Sequence, residues 1–244
     1  MGLFDKKVCD ICGGKIGLLG NRKLEDGNLC KECAAKLSPF FSERRKSTVD
    51  DIKEQLAYRE ANEAKVAAFN PTKTIGTTGP FSMKLYFDED KKQWLITRAK
   101  NYRTANPDVM DFSQVTGCTL DIDENKKELK RKDAEGKEVS FTPPRYEYSY
   151  NFNMAVFVNS PWFSEIRFRI NDEEIKQRGG TDYREAQAKA DEIKALLTQV
   201  HETERAAVVA ANAPRVSKKC PYCGATGIPD ANGCCEFCGS VIGQ

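Results

Sequence analysis

The run Tyr146-Glu147-Tyr148-Ser149-Tyr150-Asn151-Phe152-Asn153-Met154-Ala155-Val156-Phe157-Val158 alternates bulky residues with mostly polar or small ones. Successive side chains of a strand point to opposite faces, so Tyr146, Tyr148, Tyr150, Phe152, Met154, Val156 and Val158 share one face. A long strand with one face against a core is the expectation. Outward from this run, the same period of two recurs in Leu85 and Phe87, in Trp94 and Ile96, in Leu120 and Ile122, and in Ile166, Phe168 and Ile170. Turn residues such as Asp88-Glu89-Asp90 and Glu135-Gly136-Lys137 separate the runs. Residues 73–172 therefore predict about seven antiparallel strands, a number that suits a small sandwich or barrel. A helix is predicted over 181–213, with Tyr183, Ala186, Ala190, Ile193, Leu197 and Val200 along one stripe. Strands followed by one long amphipathic helix predict an α+β domain over 73–205. The alanine-rich segment 206–217 reads as a helical spacer.

Both ends of the chain are built differently. Eight of the ten cysteines form four Cys-x-x-Cys pairs: Cys9 and Cys12, Cys30 and Cys33, Cys220 and Cys223, Cys235 and Cys238. Two such pairs wrap one tetrahedral ion, and four protein thiolates leave no coordination position for water or substrate. The expectation is two structural zinc ions. In the first module, Cys12-Gly13 forms a knuckle, Asp26-Gly27 turns a hairpin and Ala34-Ala35-Lys36-Leu37 begins a helix stopped before Pro39. Knuckle, hairpin and helix predict a treble-clef zinc finger over 1–46. In the second, both pairs are followed by glycine, Gly224 and Gly239, and no helical pattern follows. This predicts a zinc ribbon over 218–244. Cys234 reads as a spare thiol beside the ligands, and Cys118 as a small buried hydrophobe.

Residues 47–72 predict a connecting helix that Ser47 or Thr48 caps and that places Val49, Ile52 and Leu56 on one stripe. The stripe fades into alanine and charge after Leu56, so a solvated connector is expected.

Composition narrows the functional classes. With 38 Lys or Arg against 36 Asp or Glu the net charge is +2, which gives no global attraction to nucleic acid or anionic membrane. Any such binding is local. No apolar run reaches the roughly 18 residues that span a bilayer. Met1 to Lys7 lack a signal-peptide core, and paired thiolates suit a reducing compartment, so a cytoplasmic location is expected. His201 is the only histidine, and no phosphate-cradling Gly-x-x-x-x-Gly-Lys loop occurs, so no catalytic activity is expected. Two basic clusters are candidate contact patches: Arg44, Arg45 and Lys46 behind the first module, and Lys126, Lys127, Lys130, Arg131 and Lys132 on a predicted hairpin. Residues 1–46 hold ten Lys or Arg against six Asp or Glu, the most basic part of the chain. A charged junction and an aggregation-resistant hairpin account for the same residues without a ligand.

The stretch from Cys9 through Gly13-Gly14-Lys15-Ile16-Gly17-Leu18-Leu19, Leu24-Glu25-Asp26-Gly27-Asn28-Leu29-Cys30 and Cys33-Ala34-Ala35-Lys36-Leu37-Ser38 resembles the bacterial domain of unknown function 4428. In that family a finger often precedes a pleckstrin-homology-like region. The seven strands and closing helix over 73–205 are similar to such a region. The resemblance implies architecture and carries no activity. Phosphoinositide binding is not expected, because Lys84, Lys91 and Lys92 are interleaved with Asp88, Glu89 and Asp90.

The functional expectation is a zinc-binding interaction or adaptor protein whose rigid surfaces meet a protein partner. The alternative is a nucleic-acid-binding protein that uses the basic finger, with Tyr222 and Phe237 of the ribbon as stacking groups.

Overall fold

The computed structural model describes residues 7–77, 82–212, 218–227 and 234–241; the side chains of 199–212 and of Lys218 lie outside the description. The chain divides into two units, 1–201 and 202–244.

In the first unit, β1 (Arg22–Lys23) pairs antiparallel with β2 (Asn28–Leu29) across the Asp26-Gly27 turn. Any larger residue than Gly27 would force the Val49 and Asp10 side chains to shift. A Cβ at this position would lie 2.5 Å from Val49 Cγ2 and 2.8 Å from Asp10 Oδ2. The short helix α1 (Lys31–Ala34) follows, with Cys30 as its N-cap. The helix α2 (Val49–Ala68) starts at Thr48, whose hydroxyl accepts from Asp51 N–H while the Asp51 carboxylate accepts from Thr48 N–H. This reciprocal pair satisfies two of the donors that a helix start leaves open.

The connector is not solvated, which corrects the sequence expectation. Ile52, Gln55, Arg59, Asn62 and Val66 are all buried, a stripe spaced three and four apart that continues in polar residues. Its N-terminal half joins the finger core of Leu24, Leu29, Leu37 and Ile52. Its C-terminal half, with Val66 and Phe69, packs on Leu95 and Val109. Between them Arg59 pairs with Asp108 at 2.7 Å, and Ser38 Oγ donates to the other Asp108 oxygen at 2.7 Å. Asn62 Nδ2 donates to the Pro107 carbonyl at 2.7 Å, and its Oδ1 accepts from Val109 N–H at 3.0 Å. Ser38, Arg59, Asn62 and Asp108 thus seat helix and finger with their polar groups satisfied, whereas the buried amide of Gln55 has no hydrogen-bond partner among the described residues.

The strands are β3 (Lys73–Gly76), β4 (Lys84–Asp88) and β5 (Gln93–Thr97), then a short helix α3 (Tyr102–Ala105), then β6 (Met110–Asp111), β7 (Val115–Lys132), β8 (Glu138–Val158) and β9 (Glu165–Arg169). All pairings are antiparallel, in two sheets ordered β3-β4-β5-β6 and β7-β8-β9. The sheets do not close into one barrel. β6 is only two residues long, and a 3₁₀ turn over Phe112–Gln114 carries the chain into the second sheet. One core joins both sheets: Leu85, Phe87, Trp94 and Ile96 from the first, and Phe152, Met154, Val156 and Ile166 from the second.

The helix α4 (Thr181–Asn212) contributes Ala186, Ala190, Ile193 and Leu197 to this same core, as its stripe predicted. Val200 and His201 lie outside the described side chains. Along β8 the predicted face is buried from Tyr150 to Val158, while Tyr146 is 42% exposed. The reason is reach: β9 pairs with Asn153 to Phe157, Ile175 and Tyr183 meet the strand at Tyr150 and Phe152, and the hairpin runs past them as a two-stranded arm.

In the second unit, β10 (Lys218–Lys219) pairs with β11 (Thr226–Gly227), and Cys234 bridges Val241.

Candidate metal centres

Three of the four cysteine pairs share one local geometry. In each the first cysteine's carbonyl accepts from the glycine four residues on, from Gly13 at 2.8 Å, Gly224 at 2.9 Å and Gly239 at 2.8 Å. Its N–H donates to the carbonyl one residue further, of Gly14, Ala225 and Ser240. The turn needs a left-handed residue, and the glycines supply φ of 70°, 72° and 70°. The fourth pair is helical instead: Cys30 caps α1, and its sulfur accepts from Cys33 N–H at 3.3 Å. Cys9 Sγ accepts from Cys30 N–H at 3.3 Å, which binds the knuckle to the helix.

These turns bring Cys9, Cys12, Cys30 and Cys33 together, and separately Cys220, Cys223, Cys235 and Cys238, with all sulfurs of a group within 4.8 Å of one another. Sγ–Sγ distances are 3.7 Å for Cys12 and Cys30, 3.6 Å for Cys220 and Cys238, and 3.7 Å for Cys223 and Cys235. A sulfur tetrahedron about 2.3 Å from a central zinc has edges of roughly 3.8 Å, whereas a disulfide is about 2.05 Å long. The donor sets fit zinc. Bound there, the ion would supply folding free energy and charge neutralisation.

The thiols are unequal. Burial alone would raise Cys9, but donors from Cys12, Cys30 and Ile11 outweigh it and bring its pKa from 9.0 to about 6. Ser240, through its hydroxyl and its N–H, brings Cys238 from 9.0 to about 6. Burial and the neighbouring sulfurs push Cys33 up. Cysteine binds metal as the thiolate, so whatever protons the eight sulfurs carry leave as metal binds. Cys118 is different in kind: burial raises it to about 11, the behaviour of a packed, inert thiol. Cys234 adjoins the second cluster without belonging to it.

The basic residues scatter by environment. Arg44, Arg45 and Lys46 lie on the 3₁₀ turn Glu43–Lys46; Arg44 donates to the Lys23 carbonyl at 2.6 Å, and Lys46 pairs with Glu43 at 3.0 Å. The structure adds Arg22 and Lys23, which join Arg44 and Arg45 around one cleft. Sequence spacing of about twenty residues hid that meeting. On the arm, Lys126 sits 4.0 Å from the Tyr146 ring centroid. Lys127 faces Glu147, and Lys130, Arg131 and Lys132 face Ser140, Val139 and Glu138 across the strands.

Residues 7–55 match the family model described as Domain of unknown function (DUF4428). The match therefore covers the whole first cysteine cluster and ends inside α2. No curated protein and no solved structure matches the chain. Among the described residues no helix is long and apolar enough to cross a membrane.

Proposed function

We propose that this chain is a zinc-stabilised, non-enzymatic adaptor of the cytoplasm that receives a protein partner along the free edge of β7. One observation supports this reading most: β7 is 18 residues long, has β8 on one side and, among the described residues, has no strand on the other. An open edge offers backbone donors and acceptors to an added peptide strand. Charged residues along it, among them Asp121, Asp123 and Lys130, oppose pairing between copies and leave room for a partner of matching charge. The treble-clef reading of the finger draws on its order of knuckle, hairpin and helix. The pleckstrin-homology-like reading draws on seven antiparallel strands in two sheets followed by α4.

The experiment is affinity capture from the native host with and without nuclease, using a photo-crosslinking residue at Thr119 on the exposed side of β7. Adducts that persist after nuclease support the adaptor. The second reading, nucleic-acid binding, draws on Tyr222 and Phe237, which are 73% and 64% exposed on the ribbon knuckles. Loss of every partner after nuclease would favour it, as would a salt-steep affinity tighter than roughly 10⁻⁶ M for nonspecific DNA or RNA that Arg44, Arg45 and Lys46 to glutamine removes.

A further inference from the structure

The finger carries an apolar tip that its own core does not use. Gly17-Leu18-Leu19-Gly20 is a tight turn closed by Gly20 N–H to the Gly17 carbonyl at 2.9 Å, and it holds both leucines out at 85% and 83% exposure. Ile16, just before the turn, packs on the finger core, so the tip is anchored while its leucines face solvent. Beside it lies an open cleft of about 850 Å³ lined by Asn21, Arg22, Lys23, Leu24, Glu25, Arg44 and Arg45. The Arg22 guanidinium touches the Leu19 carbonyl at 3.5 Å, which joins cleft and tip into one surface. Among the described residues none of Arg22, Lys23, Arg44 and Arg45 has a carboxylate partner within salt-bridge distance. Partial burial first, and then the charges of Arg45 and Arg22, lower the Arg44 pKa.

We propose that this surface docks the finger on an anionic lipid bilayer, with Leu18 and Leu19 entering the interface and Arg22, Lys23, Arg44 and Arg45 meeting the headgroup phosphates. The combination selects this occupant. Phosphates of a nucleic acid would satisfy the cations and leave two leucines in water; an apolar protein groove would satisfy the leucines and leave four cations unmatched. A bilayer interface takes both, apolar groups at acyl depth and cations at the headgroups. The surface is separate from the β7 edge, so either proposal can fail alone.

The test is cosedimentation of the zinc-loaded full chain with vesicles of phosphatidylcholine alone and with vesicles in which about a third is phosphatidylglycerol. The chain should pellet with the anionic vesicles only, and less as salt is raised. Arg44→Gln with Arg45→Gln should weaken partitioning by roughly 25-fold, about fivefold per cation. Leu18→Ser with Leu19→Ser should remove it while metal content stays that of the parent chain, which establishes that the variant is folded. Lys126→Gln with Lys127→Gln on the arm should change nothing. Failure to pellet, equal binding to both vesicles, full binding by the leucine variant, or equal loss in the arm variant would each overturn the proposal. So would an oligonucleotide that the chain binds in place of vesicles and that the leucine variant binds equally.

Discussion

Arg59 and Asp108 are 49 residues apart and show what one buried contact does for this chain. Their side chains are 8% and 0% exposed and meet at 2.7 Å. Arg59 also donates to the carbonyls of Lys36, at 3.2 Å, and Asn106, while Asp108 accepts from Ser38. Three segments converge on one ion pair. A buried pair is costly to form but far costlier to break, because the surviving charge is left without water or partner. Arg59→Met should therefore destabilise the first unit by about 3–5 kcal/mol in urea unfolding, and Asp108→Ala by a similar amount. The double replacement Arg59→Met with Asp108→Leu should recover most of the loss. Singles within about 0.5 kcal/mol of the parent, the range of ordinary surface substitutions, would show that the pair does not hold finger and helix to the sheet.

At the scale of elements, α2 and α4 depend on different things. The start of α2 is local chemistry, and Thr48→Ala should cost about 1 kcal/mol through the lost cap. The Asp51 carboxylate is held below its usual 3.8 by the N–H and hydroxyl of Thr48. A depressed carboxylate stabilises fully above the unfolded value of 3.8, and that contribution is lost as pH falls through the lower folded value. The difference between the parent and Asp51→Asn should thus be constant near neutrality and shrink in acid below pH 3.8; a gap that widens there would contradict the cap. The helix α4 relies on packing instead. Leu197 is 0% exposed in the common core, and Lys194 is exposed. Leu197→Asp places an unpaired charge among strands and should abolish the cooperative thermal transition, since total stability is only about 5–15 kcal/mol. Lys194→Asp should leave the midpoint nearly unchanged. Equal behaviour of the two would mean that the helix does not close the sheets.

For the whole molecule, the two metal clusters lie in units of unequal dependence. The finger core includes Ile52 and takes Leu56 against it, both from α2, which in turn packs on the first sheet. The ribbon lies in the separate unit 202–244. Metal analysis of the reduced chain should give two zinc ions, and Cys33→Ser and Cys235→Ser should each remove one. Their thermal consequences should differ. Cys235→Ser should leave the main unfolding transition in place, whereas Cys33→Ser should lower it, because α2 loses the packing of a formed finger. Equal midpoints for the two variants would show that finger and sheet unfold independently.

Sequence by itself determined the metal chemistry and the local elements, because these depend on neighbours close along the chain. Cys-x-x-Cys-Gly turns back on itself within five residues, Asp26-Gly27 makes its own hairpin, and the alternation from Tyr146 to Val158 states which face is apolar. Part of the candidate site was legible for the same reason, with Arg44 and Arg45 adjacent in the chain. What tertiary structure decided are meetings between distant residues. Gln55, Arg59 and Asn62 read as solvent-facing because they are polar; only Asp108, Asn106 and Pro107 arriving from the sheet make burial of Arg59 and Asn62 favourable. Tyr146 belongs to the core face by period, yet it stays exposed, since period assigns a face but says nothing of how far the covering elements extend. Arg22 and Lys23 likewise join Arg44 and Arg45 only when the hairpin folds beside the 3₁₀ turn. A long-range contact is favourable only once both partners are desolvated together, and that condition belongs to the folded molecule rather than to any window of its sequence.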